Sequence, residues 1–519
     1  MKKIKYGEEA RNLLKKGVDL VYDVVASTMG PGGRTVVIDD EYNNPHITAD
    51  GVTVAYAVET NEPFVCTGVA LLKRAAMKAN TLVGDGTSTT TVLTKAILDG
   101  GHRVANYPPV LVKQGMEIAQ EEIIQHIDKL KKKAKKSDVK NIAYISSRGD
   151  ESLSNLIQEA YDHVGKDGYI QVEPSGTSLN KLEKISGYQL DGGYEHPQYI
   201  NNVQKNRVEY ENPVIIVSNK ELLDTNEVAQ TLSQLLNNAN YADKPIVLIN
   251  TGCSEPVNRL LLSNFGAGKL QIVSVKPTDF GNNLTTILND SAFVVEAVPA
   301  LNENGLKLSE AKVGTCERVL ITADKTVFIG IPKDAKYIEK FQKDLELSID
   351  DSDNKDFTKK RVERLKGKLA RLLIGAETEV ELREKKDRAD DCIGSVKAAL
   401  KEGYLPGGGI ALLYIQSLLN TNLSEAQQVG YDLVKYALDE PIKVILNNSL
   451  GEDHREVISE IVRKEFNYGY DAKNYCYCNL IETGIIDAAA VTKAAIKAAI
   501  SVSKTIIETN AIIGVVGEQ

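Results

Sequence analysis

Apolar residues recur at steps of four and three from Leu14 through Val18, Val21 and Val25 to Thr28. That spacing predicts one face of an amphipathic helix. The cluster Gly30-Pro31-Gly32-Gly33 stops it. Two β-branched runs follow, 35–39 and 52–58, and both predict strands, the second entered through an Asp50-Gly51 turn. Val69, Leu72 and Ala76 predict another helix ending near Asn80. The stretch V-G-D-G-T-S-T-T-T spans 83–91, and a further helix is expected from about Val92.

The middle of the chain has a different period. The runs 213–217, 245–250 and 270–276 are short, apolar and β-branched. Helical patterns separate them, Val228, Leu232, Leu235 and Leu236 in one, Val257, Leu260, Leu261 and Phe265 in the next. Strands alternating with helices predict an α/β unit with a sheet that is at least partly parallel. Charged helical patterns over 337–349 and 357–373 follow, separated by an acidic break at 350–353. After Glu377 the chain is helix-rich again, ending in an Ala-rich helix from Ala488 to about Ile507. An order of helical, α/β, helical allows a middle domain inserted into an outer one built from both chain ends.

At 519 residues the chain exceeds a single core, and two to four domains are expected. With 42% hydrophobic and 26% charged residues it has the composition of a soluble globular protein. A net charge of −9 speaks against nucleic acid as a partner, because phosphate binding needs a basic surface. The basic run Lys131, Lys132, Lys133, Lys135 and Lys136 closes a helical pattern, where cations suit the helix dipole. No apolar run has signal-peptide or membrane-span character, so a cytoplasmic protein without a membrane partner is expected. Six cysteines form no disulfide framework, and Cys476 with Cys478 offers too few ligands for a metal.

The 84–91 loop has chemistry of its own. Its glycines let backbone approach a ligand, the following helix start presents unpaired amides, and the hydroxyls add donors for phosphate oxygens. Asp85 would repel a phosphate unless a cation lay between, and Mg²⁺ takes a carboxylate together with phosphates. The plainer alternative is a capped helix behind an Asp-Gly turn. Pro406-Gly407-Gly408-Gly409 repeats the arrangement before a helix at Ile410, or is an interdomain turn. The turn 28–33 is either a third such element or only a helix stop. Phe265-Gly266-Ala267-Gly268-Lys269 is no P-loop: Ser263 stands where the first glycine belongs, and Leu270 follows the lysine. It is expected to stop a helix. Asp391 and Asp50 do not stand out by local pattern.

Several pieces, in this order, closely resemble a GroEL-type group I chaperonin. They are T-M-G-P-G-G-R-T-V-V-I-D at 28–39, A-D-G-V-T-V-A at 49–55 and G-D-G-T-S-T-T-T-V-L at 84–93. G-A-E-T-E-V-E-L-R-E-K-K at 375–386, P-G-G-G-I-A-L at 406–412, N-Y-G-Y-D-A at 467–472 and G-I-I-D at 484–487 complete the series. The likeness is strongest toward the chain ends and weak in the middle. It implies a multidomain α+β and α/β fold. A mainly helical equatorial ATP-binding domain would come from 1–133 and 403–519, a small intermediate hinge domain from 134–186 and 368–402, and an inserted α/β apical domain from 187–367. Gly187, Gly367 and Gly403 would lie at its hinges.

The resemblance also implies an ATP-dependent, ring-forming chaperone that binds unfolded proteins and hydrolyses ATP. ATP, Mg²⁺ and K⁺ are the implied cofactors. Thr28, Met29, Gly30 and Pro31 would line the nucleotide; Asp85 would hold Mg²⁺; Gly86, Thr87, Ser88, Thr89 and Thr90 would contact phosphates. Asp391 would orient the attacking water and Asp50 assist it. Gly408 and Asp487 would hold the ribose side, with Asp471 near the base, although Asp487 also suits the N-cap of the last helix. Clients would meet Tyr194, Tyr199, Leu232, Leu235, Leu236, Leu261 and Leu262, positions that periodicity alone assigns equally to a core. Implied partners are further copies in a seven-fold single or double ring, unfolded clients and a GroES-type co-chaperonin. The family's lysines are replaced by Gly32 and Ala49, and Ser88 stands for a threonine. Gln198, Asn258 and Ser263 occupy client-face positions that are usually apolar or aromatic. A nucleotide-responsive scaffold or holdase that binds partners without encapsulating them is the alternative reading.

Overall fold

The computed structural model describes residues 2–39, 46–104, 106–147, 149–166, 168–203, 205–349, 355–365, 368–451 and 454–515. They form two compact units. Met1–Leu182 and Leu372–Gln519 together make the first, and Glu183–Arg371 makes the second. Gly367 and the acidic break at 350–353 lie outside the described residues.

The first unit is a helical assembly. Helix Gly7–Ala26 buries Leu14, Val18, Val21 and Val25, each at most 1% exposed. It packs on helix Val65–Val83 at backbone distance: a Cβ at Gly17 would lie 2.4 Å from the Val65 carbonyl oxygen. The Ala-rich helix Ala489–Glu508 packs on Val65–Val83 and on helix Thr87–Asp99. Strand Lys2–Tyr6 pairs antiparallel with Ala511–Val515, tying the two chain ends together.

Three expectations for this unit change. The run 52–58 is a helix, Gly51–Ala57, not a strand. The Asp50 carboxylate accepts from the Val52 and Thr53 amides at 3.2 and 2.7 Å, and this cap outweighs the weak β preference of the run. The helix containing Val69 runs to Val83, beyond Asn80. The helix expected from Val92 begins at Thr87, so the hydroxyl run lies inside it. The Thr90, Thr91 and Thr94 hydroxyls donate to the carbonyls one turn back, at 2.8, 3.0 and 2.7 Å. That bonding satisfies them within the helix.

In the second unit, strands Val214–Val217, Ile246–Ile249 and Ile272–Pro277 are parallel neighbours, with helices Thr225–Leu236 and Glu255–Gly266 as crossovers. Antiparallel strands Lys181–Tyr194, Lys325–Ile329, Arg318–Ile321 and Val208–Glu211 extend this sheet. Gly266-Ala267-Gly268 ends its helix, with Gly268 at φ +66°, as a stop signal should. The segment 357–373 is not one helix: it divides into helix Lys355–Leu365 and strand Lys368–Ile374. Leu369, Ala370, Leu372 and Ile374 are all buried, and an apolar run buried on both faces carries no helical period to tell it from a strand. Gly187 lies within strand Lys181–Tyr194, where a Cβ would strike the Phe328 carbonyl oxygen at 2.6 Å. Among the described residues, no helix is long and apolar enough to cross a membrane.

Candidate active site

The first unit encloses a cavity of about 890 Å³. Its wall draws on both ends of the chain: the turn after helix Gly7–Ala26, the cap of Gly51–Ala57, the start of Thr87–Asp99, the Pro406–Gly409 turn and strand Ile486–Ala488. Met29, Gly30, Pro31, Asp50, Asp85, Gly86, Thr87, Ser88, Thr89, Asp391, Gly408, Asp471 and Asp487 all line it. Thr28 and Thr90 do not. Both are buried behind the wall, their hydroxyls donated to the Val25 and Gly86 carbonyls at 2.9 and 2.8 Å. Thr90 bonds back within its own helix, and Thr28, in the turn after helix Gly7–Ala26, bonds back to that helix's last turn.

The Asp85 loop is built for close approach. Gly84 and Gly86 adopt φ +77° and +99°, which favours glycine at both positions. Gly86 caps the helix that begins at Thr87, so the helix's first amides lack intrahelical acceptors at the cavity. The Thr87 hydroxyl is buried without a hydrogen-bond partner. Unpaired donors at a helix start suit an anion.

Carboxylates crowd the same space. Burial first, then the charges of Asp50 and Asp85, push the Asp391 carboxyl well above its ordinary range. Burial and Asp85 push Asp487 up to about 7. Mutual repulsion of this kind is relieved by a cation, and one or two carboxylates with phosphate oxygens are what Mg²⁺ takes. Among the described residues no cluster of three or more His, Cys, Asp or Glu side chains forms a ready metal cage. A cation here would share its coordination with a ligand. The Asp471 carboxylate turns to its own loop instead, accepting from the Lys473 and Asn474 amides at 2.9 and 3.1 Å and from Asn474 Nδ2 at 2.7 Å.

Asp487 is not the N-cap of the last helix. That position is Ala488, and no side chain caps it. Asp487 instead sits opposite Leu405 in the Tyr404–Pro406 strand pairing, where a Cβ on Gly407 would come within 3.0 Å of its Oδ1. At one of the two replaced lysine positions the backbone is close: a Cβ at Gly32 would lie 2.6 Å from the Asn448 carbonyl oxygen. Ala49 is buried.

Apart from Asp391, which the resemblance supplied, sequence reading missed the following part of the wall. Helix Glu379–Glu402 presents Glu384, Arg388, Asp391 and Ser395 to the cavity, a single stripe at steps of four, three and four. Arg388 is ion-paired to Glu384. At the other end Lys473 Nζ donates to the Tyr144 hydroxyl at 2.7 Å and lies over its ring. The available signal was Gly394, a glycine inside a helical pattern, which often marks a close contact.

The client candidates of the second unit divide. Tyr199, Leu232, Leu235 and Leu261 are at most 8% exposed and belong to the core beneath the two crossover helices. These four are corrected from surface to core: the apolar stripe of each helix is the face that covers the sheet, and Tyr199, in the short turn Pro197–Tyr199, packs its ring against Phe265. Leu236 is 40% exposed, and Tyr194 and Leu262 are half-buried at the core's margin. Asn258 is partly buried, and Gln198 and Ser263 are exposed, which keeps the outer surface polar.

Comparison with known proteins covers nearly the whole chain. The model of the TCP-1/cpn60 chaperonin family matches residues 21–516. Two crystal forms of the chaperonin gp146 from the bacteriophage EL 2 (Pseudomonas aeruginosa), both in the presence of ATP-BeFx, have a similar fold. Form II has a TM-score of 0.69 at 22% identity, and form I has 0.62 at 21%. Each alignment covers 99% of this chain and 99% of the other.

Proposed function

The chain belongs to the TCP-1/cpn60 chaperonin family, and from that premise we propose an ATP-driven chaperone whose first unit binds and hydrolyses nucleotide. The observation that carries this reading is the cavity itself. Loops from both chain ends supply glycines, helix-start amides and an orphan hydroxyl suited to phosphates, and the aspartates beside them suit a bridging cation. The gp146 structures, formed with an ATP analogue, support the same class of ligand here. Asp85 would hold Mg²⁺, which when bound neutralises phosphate charge. Asp391 would orient the attacking water and accept its proton, a role served by a carboxyl shifted toward working pH. K⁺ is proposed as an accompanying ion.

The second unit would take non-native polypeptide. Leu236, with Tyr194 and Leu262 beside it, is the part of the expected client face that reaches the surface. The three-domain division at 133/134, 186/187, 367/368 and 402/403 is retained as a proposal, as are a cytoplasmic setting, a seven-fold ring, single or double, and a GroES-type co-chaperonin. Burial of four of the seven client residues favours a second reading, a holdase or scaffold that does not encapsulate.

Asp391→Ala should keep ATP binding and lower turnover by about 10²-fold or more. Normal hydrolysis by that variant would refute the assigned chemistry. Refolding of a denatured test protein, with and without a lidding partner, separates the two functional readings.

A further inference from the structure

We propose that Ser395 is a positioning residue for the Asp85 carboxylate, coupling the seating of helix Glu379–Glu402 to the geometry of the phosphate loop. The proposal rests on the nucleotide reading of the cavity. Ser395 is 3% exposed, and its hydroxyl donates to Asp85 Oδ2 at 2.7 Å. The other oxygen, Oδ1, accepts from the Gly86 amide. The carboxylate is thus held at both ends, once by its own loop and once by a helix 310 residues further along the chain.

Two glycines make that reach possible. A Cβ on Gly394 would lie 2.9 Å from Gly84 Cα, and a Cβ on Gly84 would lie 2.8 Å from Gly394 Cα. A glycine inside a helix is destabilising relative to alanine, so an interior glycine calls for a compensating contact. Here the contact is backbone on backbone, and it sets the Ser395 hydroxyl within hydrogen-bond distance of Asp85. Ser395 follows Asp391 by one helical turn on the same face. When this helix is seated, Asp391 faces the cavity and Asp85 is oriented together. When it lifts, both are lost together. One hydroxyl therefore links the water-orienting group to the metal-holding group.

Ser395→Thr and Ser395→Val in the full-length chain test this, because the two side chains share a shape and differ in the hydroxyl. The readouts are binding of a fluorescent ATP analogue as a function of Mg²⁺, binding of the same analogue in EDTA, and steady-state ATPase. Loss of a group that orients a metal ligand typically weakens metal binding or activity by about 10-fold or more. Ser395→Val should therefore shift the Mg²⁺ half-saturation upward by about that factor, with binding in EDTA unchanged, and Ser395→Thr should stay near wild type. Equal Mg²⁺ dependence of the two variants overturns the proposal. That outcome is distinct from failure of the site reading, which Asp391→Ala reports by retaining normal turnover.

Discussion

In the first unit, polar groups scattered from Asp50 to Asp487 line a single cavity, whereas in the second the apolar residues Leu232, Leu235 and Leu261 disappear beneath their own helices. The difference follows from what each residue type demands. A glycine-flanked acid with hydroxyls at a helix start carries groups that are costly to bury unpaired, so a shared cavity is a stable place for them. An apolar stripe demands only that some face be covered, and the nearest sheet satisfies it. Polar loops therefore forecast a site better than apolar stripes forecast a binding surface.

The sharpest way to break this comparison is in the second unit. Leu261→Ala should destabilise it by about 2–5 kcal/mol, as for other buried leucines, with little change in nucleotide affinity. Denaturant unfolding of the full chain measures it; an unaltered midpoint would return Leu261 to the surface. A pH-dependent effect is expected in the cavity. Asp487 titrates at about 7 in the folded protein against an ordinary 3.8, so the folded state holds a proton that the unfolded chain releases. Its contribution is full below pH 3.8 and is lost as pH rises to about 7. Melting of the nucleotide-free, metal-free protein should fall over that range, and Asp487→Asn should flatten the slope. The smallest stability effect is expected at Leu236→Ser, within about 0.5 kcal/mol for an exposed position. The same variant should reduce capture of a denatured client. Capture equal to wild type would place the client face elsewhere.

Much of the cavity was legible because its elements are local. Gly84, Gly86, Gly408 and Asp85 announce turns and helix starts by residue type alone. Other features were not. Asp391 lies in a charged helical stretch that looks solvated, and only the docking of helix Glu379–Glu402 brings it beside Asp50 and Asp85. The run 52–58 looks like a strand because it is rich in β-branched side chains behind an Asp-Gly turn, while in the fold Asp50 caps a helix. Thr90 and Thr28 belong to cavity motifs, yet both hydroxyls donate to backbone carbonyls of the preceding helical turn.

By itself the sequence determined the family, the alternation of helical and α/β segments and the loops able to meet an anion, because periodicity and turn chemistry act over a few residues. Only the tertiary structure decided which helix face is core, that a side chain at Gly32 would meet the Asn448 backbone, and that Ser395 meets Asp85. Those outcomes depend on contacts between segments hundreds of residues apart, set by packing distances that no local pattern records.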